Sequence, residues 1–280
     1  MKKLLALLFT ASVLIVLAAC GTSENEDASN EEGNQETTSI TVGATSVPHA
    51  EVLEKAAPIL KEEGIELKVE AYQEYTFLNE DLNNGTLDAN YFQHIPYFEQ
   101  QKEEFDFDIV NLGGIHIEPM GIYSKNINNI DDIPEGTTFI MSRNVPDHGR
   151  ILALLEKEGL IKIDENVDKQ SATVDDIVEN PLNLEFDASI DPGFLPEFYE
   201  REKDAILAIN TNYALEAGLV PTEDALILEG SESPYVNIIA ARSEDENNEA
   251  LAKLVEVLRS DEIQEFIEEE YNGSVVPVSE

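Results

Sequence analysis

Within Asp88-Ala-Asn-Tyr-Phe-Gln-His94, two aromatic rings, neighbouring amides and an imidazole stand side by side, with Ile95-Pro96 directly behind. In a core strand, Asn, Gln and His would each need a buried partner. A pocket wall uses the same set differently, with ring faces for an apolar group and a few polar groups to orient it. A loop around one buried Tyr-Phe pair fits the stretch equally well. Three other groups share its polarity: Ser46-Val-Pro-His49, Asn144 to Arg150, and Asn210-Thr-Asn-Tyr213. Asp147 and Asn212 read as helix caps as readily as ligand contacts. Arg150 stands apart. It is one of only five arginines and reads as the start of a helix that continues Ile-Leu-Ala-Leu-Leu. A cation there opposes the helix dipole, but beside free backbone N–H groups it makes an anion site. Gly149 next to it allows close approach. The plainer alternative is a surface arginine paired with one of many carboxylates.

The elements that must hold these groups alternate between strand and helix. Strands are expected at Ser39–Thr45, Glu66–Ala71, Ile109–Leu112, Thr137–Met141, Ala205–Ile209 and Val236–Ala241, with Gly121–Ser124 extended. Helices are expected at about Ala50–Glu63, Phe77–Asn83, Ile95–Glu104, Asp147–Glu158, Asn212–Ala217, and through Asn247–Tyr271. The first carries Val52, Leu53, Ala56, Ile59 and Leu60 on one face and stops at Gly64. Such alternation predicts an α/β fold with mainly parallel sheets. In these sheets ligands bind beyond the carboxyl ends of strands, where the polar groups fall.

The amino terminus is organised differently. Lys2 and Lys3 precede an apolar run from Leu4 to Ala18, and Leu17-Ala-Ala-Cys20 follows the pattern of a lipobox cleaved before cysteine. Residues 1–19 are therefore read as a lipoprotein signal peptide and Cys20, the sole cysteine, as the lipidated residue. Residues 20–39 are polar and read as a disordered tether of roughly 25 Å.

Asp and Glu total 58 against 17 Lys and Arg. Loss of Lys2 and Lys3 takes the formal charge from −41 to −43. That excludes nucleic acid and anionic headgroups as partners of the general surface, so membrane contact is expected through the lipid anchor only. An acidic, solvated surface of the kind found in salty habitats is the simplest reading.

Several segments recur in a familiar order: Val42 to Glu51, Leu87 to Tyr97, His116 to Ser124, Gly149-Arg150, Glu179-Asn-Pro-Leu-Asn-Leu184, Ile209-Asn210 with Tyr213-Ala214, and Ser233 to Asn237. Together they resemble the NlpA-type methionine-binding lipoproteins, substrate-binding subunits of methionine ABC importers, over nearly all of Ile40 to Val278. The resemblance implies a two-lobed α/β periplasmic-binding-protein fold. Residues 40–118 plus 235–280 would form lobe one and 119–234 lobe two, with crossings at Pro119–Tyr123 and Ser233–Asn237. It also implies an ABC permease and ATPase as partners and no cofactor. The family's ligand contacts carry over to Tyr75, Phe92, His94, Arg150 and Asn210.

Two segments depart from the family pattern. Pro146-Asp147-His148 stands before Gly-Arg where the family has Thr-Asn-x, and Ala188-Ser-Ile-Asp-Pro-Gly-Phe-Leu-Pro196 replaces Ala-x-Gln-Leu-Pro-Arg. The expected ligand is L-methionine or a close derivative, with a methionine-containing dipeptide second. Arg150 would take the carboxylate, Asp147 the ammonium and Asn210 the backbone end, while Tyr75, Phe92 and Tyr91 face the thioether. A zinc- or manganese-binding lipoprotein using His49, His94 and His116 is the principal alternative. A surface adhesin of the same fold is another. An enzyme is disfavoured, since Gly-x-Ser-x-Gly, His-Glu-x-x-His and phosphate-loop motifs are missing from the sequence.

Overall fold

The structure, a computed structural model, describes residues 37–230 and 232–278. The signal peptide, Cys20 and most of the tether lie outside the described residues. The first strand, β1 (Thr38–Thr45), begins inside the span assigned to the tether. It leads through a helical turn at Ser46–Ala50 into α1 (Glu51–Glu62), which buries Val52, Leu53, Ala56 and Leu60. Gly64 ends that helix at φ +81°, a backbone position open to glycine at little cost. Then come β2 (Ile65–Tyr72), α2 (Thr76–Asn83), β3 (Ala89–His94), α3 (Ile95–Phe105) and β4 (Ile109–Ile117).

The middle of the chain supplies β5 (Gly121–Tyr123), β6 (Thr138–Ser142), α4 (Val145–Lys157), β7 (Lys162–Ile163), β8 (Ile177–Glu179) and β9 (Glu185–Ile190). It continues with α5 (Leu195–Arg201), β10 (Ile206–Ile209), α6 (Thr211–Glu216), α7 (Pro221–Asp224) and β11 (Ile227–Leu228). The chain closes with β12 (Val236–Arg242), α8 (Glu249–Leu258), α9 (Asp261–Tyr271) and β13 (Val276–Pro277). The helical stretch expected through Asn247–Tyr271 is thus two helices, the second with Ser260 at its N-cap.

The strands form a six-stranded sheet, ordered β13-β4-β12-β3-β1-β2, and a five-stranded sheet, ordered β11-β5-β10-β6-β9, beside a small β7-β8 pair. Both larger sheets are mixed, which corrects the expectation of mainly parallel ones. Strand β1 pairs parallel with β2 and β3, but β12 enters antiparallel between β3 and β4. In the second sheet β6 is parallel to β9 and β10, while β5 runs antiparallel to β10 and β11. Among the described residues the chain passes between the two sheets twice, after β4 through Glu118–Met120 and back between β11 and β12.

Each sheet is packed on both faces. One face of the first sheet meets α1, α8 and α9 around Val52, Leu53, Leu251, Leu254 and Ile263. Its other face packs Leu78, Leu82, Phe92 and Phe98. The second sheet has a cluster around Phe139, Met141, Ile151 and Leu155, and another around Tyr123, Ile140, Leu207 and Tyr213. No helix among the described residues is long and apolar enough to cross a membrane.

Candidate functional site

Residues 89–94 form an interior strand whose every residue is buried, not a loop, and its end lines a pocket. Its polar side chains are tolerated because they satisfy one another. Asn79, reaching in from α2, exchanges hydrogen bonds with Gln93: Asn79 Nδ2 donates to Gln93 Oε1 at 2.8 Å and Gln93 Nε2 donates to Asn79 Oδ1 at 2.7 Å. Asn90 Nδ2 donates to the Leu78 carbonyl and to Asn79 Oδ1. At the end of the strand His94 caps α3, its Nδ1 accepting from the Tyr97 N–H at 3.2 Å. That leaves Nε2 as the protonated nitrogen, and it donates to Asp147 Oδ1 at 3.1 Å.

Period-two alternation separates the two aromatics of this strand. Phe92 packs with Tyr75 and Tyr97, whereas Tyr91 belongs to the core around α1 and α8. Tyr91 is fully buried, with its hydroxyl against His116 Nδ1, and is not among the pocket-lining residues.

The pocket itself, about 380 Å³ including its mouth, lies between the two sheets. From the first sheet it takes Tyr75, Phe92, Gln93, His94, Tyr97 and Asn237, and from the second Asn144, Asp147, Arg150, Asn210, Thr211 and Asn212, with Glu118 from the crossing segment. Six of the seven ligand contacts expected from sequence therefore converge here; Tyr91 does not. Gln93, Asn144, Thr211 and Asn212 fall within the polar stretches that the sequence singles out, whereas Tyr97, Glu118 and Asn237 carry no assigned role there. Tyr213 adds a further ring 5.1 Å from that of Tyr75. Phe92 lies 5.6 Å and Tyr97 6.0 Å from Tyr75, so three rings form one aromatic wall of the pocket, while Tyr213 borders the neighbouring hollow. Tyr97 and Tyr213 each fall in the first turn of a helix that follows a strand, a recurrent position that sequence reading could have used.

Contacts join the two sides across the pocket. Tyr75 Oη donates to Asn212 Oδ1 at 2.5 Å, and Tyr213 Oη to the Gln73 carbonyl at 3.1 Å. His94 to Asp147 is a third bridge.

Arg150 does not start its helix, contrary to the sequence reading. Helix α4 begins at Val145 with Pro146 in the first turn, which places Arg150 a full turn inside. Its charge is met by side chains and not by the helix end. Nε and Nη2 donate to Asp147 Oδ1 at 3.1 and 2.7 Å, and Glu229 Oε2 lies 3.5 Å from Nη1. The guanidinium also stacks over Tyr235, 4.5 Å from the ring centre. Gly149 serves packing: a Cβ there would come within 2.4 Å of the Lys169 and Gln170 carbonyls.

Asp147 is correspondingly saturated. Oδ1 accepts from Arg150 and His94, and Oδ2 from Asn210 Nδ2 at 3.2 Å. Burial works against its charge, yet Arg150, His94 and Asn210 outweigh that and hold the carboxyl well below the usual carboxylate range. Asn210 Oδ1 is buried and has no hydrogen-bond partner among the described residues.

Behind the pocket wall lies a second polar cluster. His116 Nε2 and His49 Nε2 stand 2.8 and 3.1 Å from Glu118 Oε1, and the Asn212 N–H donates to Glu118 Oε2 at 3.1 Å. Thr45 Oγ1 meets His49 Nδ1 at 2.7 Å, and Asn237 Oδ1 lies 3.2 Å from His49 Nε2. Burial pushes the His49 pKa down to about 4, although Glu118 opposes it, and pushes His116 down to about 3. Burial also drives the Glu118 carboxyl up, against the pull of His49, Arg150 and the Asn212 N–H.

His49, His116 and Glu118 bring ligand-type atoms within 4.8 Å of one another, the spacing a metal site would need. Every imidazole nitrogen in this cluster is nonetheless already paired, to Thr45, Asn237, Tyr91 or Glu118. His94 lies apart on Asp147, so the three histidines proposed together as metal ligands are not brought together.

The comparisons with known proteins point the same way. The family description "NlpA lipoprotein" matches residues 40–279. The chain is 44% identical to the methionine-binding lipoprotein MetQ of Bacillus subtilis, with all of both chains covered. It is 34% identical to the D-methionine-binding lipoprotein MetQ of Escherichia coli, over 94% of this chain and 93% of that one. A solved structure of a nutrient binding protein from Burkholderia cenocepacia, bound to methionine, superposes with a TM-score of 0.81 at 37% identity, covering 86% of this chain and all of the other. These likenesses establish the two-lobed periplasmic-binding fold and give the zinc or manganese alternative no support.

Proposed function

We propose that this chain, which belongs to the NlpA lipoprotein family, captures methionine between two lobes and delivers it to an ABC importer. The family is one of substrate-binding lipoproteins, not enzymes. The observation that carries the ligand assignment is the convergence of an aromatic wall with Arg150 and Asn210 in one cleft between the sheets. The rings of Tyr75, Phe92 and Tyr97 suit a thioether, which packs well on aromatic faces. Asp147 takes Nε and one Nη2 N–H of Arg150 and Nη1 faces the Glu118 carbonyl and Glu229 at 3.5 Å, so one Nη2 N–H is left for a ligand carboxylate. The unpaired Asn210 carbonyl supplies an acceptor for the backbone end.

In this reading, lobe one comprises residues 40–118 plus 235–280 and lobe two residues 119–234. The segments at Pro119–Tyr123 and Ser233–Asn237 act as the hinge. Lipid on Cys20 holds the protein to the outer face of the cell membrane, beside the permease and ATPase that receive the ligand. Cys20→Ser protein that still sediments with membranes after a salt wash would contradict the anchor. A methionine-containing dipeptide is the second ligand choice. An open surface hollow bordered by Tyr213, Asp191 and Phe194 offers a place for an extension. Calorimetry of refolded, ligand-free protein with L-methionine, D-methionine and glycyl-methionine ranks these ligands. Failure of all three to bind would remove the assignment.

A further inference from the structure

We infer that Glu118, not Asp147, is the counter-ion for the ligand's ammonium group, and that it makes the pocket select amines over isosteric hydroxy compounds. The inference rests on the methionine reading of the pocket and names the group that would recognise the amino end.

The two carboxylates differ in charge balance. Two carboxylates line the pocket, Asp147 and Glu118. An ionised carboxylate offers about four lone-pair sites. Asp147 receives two N–H groups from Arg150 and one from His94 on Oδ1 and one from Asn210 on Oδ2, and its charge is matched by the guanidinium. Glu118 is differently placed. Oε1 takes the Nε2–H of His116 and lies 3.1 Å from His49 Nε2, whose hydrogen bond goes to Asn237 Oδ1, while Oε2 takes only the backbone N–H of Asn212. One acceptor site on Oε2 therefore remains.

The imidazoles donate without neutralising the charge. Thr45 and Tyr91 hydroxyls, which can donate, occupy their Nδ1 atoms, and acceptors face both Nε2 atoms, Glu118 for His116 and Asn237 for His49, an arrangement that suits neutral Nε2–H rings. His116 holds Oε1, and Oε2 meets the Asn212 N–H; Glu118 itself lines the pocket. The nearest full cation, Arg150, gives its Nη1 to the Glu118 main-chain carbonyl at 3.5 Å and its fork to Asp147. Glu118 is thus a buried carboxyl without a paired cation among the described residues, and its charged form is costly unless a cation is supplied. The ammonium of an amino acid supplies one, and its remaining protons can reach the unpaired Asn210 Oδ1 that lines the same pocket. Glu118 also sits in the segment that crosses between the sheets and bonds to Asn212 of the second. An ammonium seated there adds to the contacts that hold the lobes together.

The test compares L-methionine with its isosteric hydroxy analogue, 2-hydroxy-4-(methylthio)butanoate, by calorimetry on the refolded full-length chain and on Glu118→Gln. The wild-type chain should prefer methionine by at least a hundredfold. In Glu118→Gln the preference should shrink to less than tenfold, through loss of methionine affinity with little change for the hydroxy acid. An unchanged ratio in Glu118→Gln overturns the assignment. So does a wild-type chain that binds both compounds equally, a result that needs no variant to fold. A chain that binds neither compound removes the methionine reading itself, and is distinguishable from both.

Discussion

Acidification should unfold this protein from its interior, through His49 and His116. In the unfolded chain each imidazole titrates near 6.5, whereas burial places His49 at about 4 and His116 at about 3 in the folded one. Both folded values lie below the unfolded ones. The unfolded chain therefore binds more protons between pH 6.5 and 4, and stability falls as pH falls through that window. At about 1.4 kcal/mol per unit, moving from pH 7 to 5 costs about 2 kcal/mol for each histidine, about 4 kcal/mol together. Glu118 acts in the opposite sense. Its folded pKa is raised above 4.5, so in the interval between the two values protons favour the folded state and offset part of the loss. Asp147, held low, adds its own loss only as pH drops below the ordinary aspartate value of 3.8.

For a chain of this size 1 kcal/mol corresponds to about 2–4 °C in melting temperature. The net expectation is a fall of about 5–15 °C between pH 7 and 5. Scanning calorimetry at 1 M sodium chloride, where surface charges are screened, reads it directly. The double substitution His49→Gln, His116→Gln keeps hydrogen-bonding side chains but cannot titrate there, and should flatten the dependence. A wild-type melting temperature constant to about 2 °C over this range, or a double variant as pH-sensitive as the wild type, would refute the reasoning.

Three further outcomes are expected. Arg150→Ala removes the partner of a buried carboxylate and the ligand's anion site, a loss of about 2–5 kcal/mol, so calorimetry should find methionine binding weakened by roughly thirty-fold or more. Tyr91→Phe leaves His116 Nδ1 without its hydroxyl partner; denaturant unfolding should register a loss of about 1–3 kcal/mol, while methionine affinity stays within about twofold. With a formal charge of −41 on the whole chain, the melting temperature should rise as sodium chloride goes from about 0.01 to 1 M and the Debye length shrinks from roughly 30 to 3 Å; a flat response would mean that the charges are locally balanced.

Elements with local signatures were legible in the sequence. The spacing of Val52, Leu53, Ala56 and Leu60 and the stop at Gly64 place α1 within a residue or two of its observed bounds. The pocket loops were legible as well, since polar groups after strands are rare enough to stand out. Misread features depended on partners far along the chain. Strand β3 can be polar and buried because Asn79 arrives from α2, and nothing within residues 89–94 announces that. The sheets are mixed because β12 returns after more than a hundred residues to lie between β3 and β4, a pairing that alternation of local elements does not encode. Arg150 was placed at a helix start although Asn144 and Pro146 are themselves a start signal one turn earlier. Glu118 carries no local mark at all. Its meaning comes from two histidines, 69 and 2 residues away in sequence, and from an N–H of the other sheet.

The central claim is that the cleft between the sheets takes methionine as a zwitterion. Titration calorimetry of the refolded, ligand-free chain with L-methionine, with zinc as the competing titrant, tests it most directly. The account predicts a saturable one-to-one heat with L-methionine, undiminished by prior addition of zinc. Tight zinc binding with no response to methionine would contradict it.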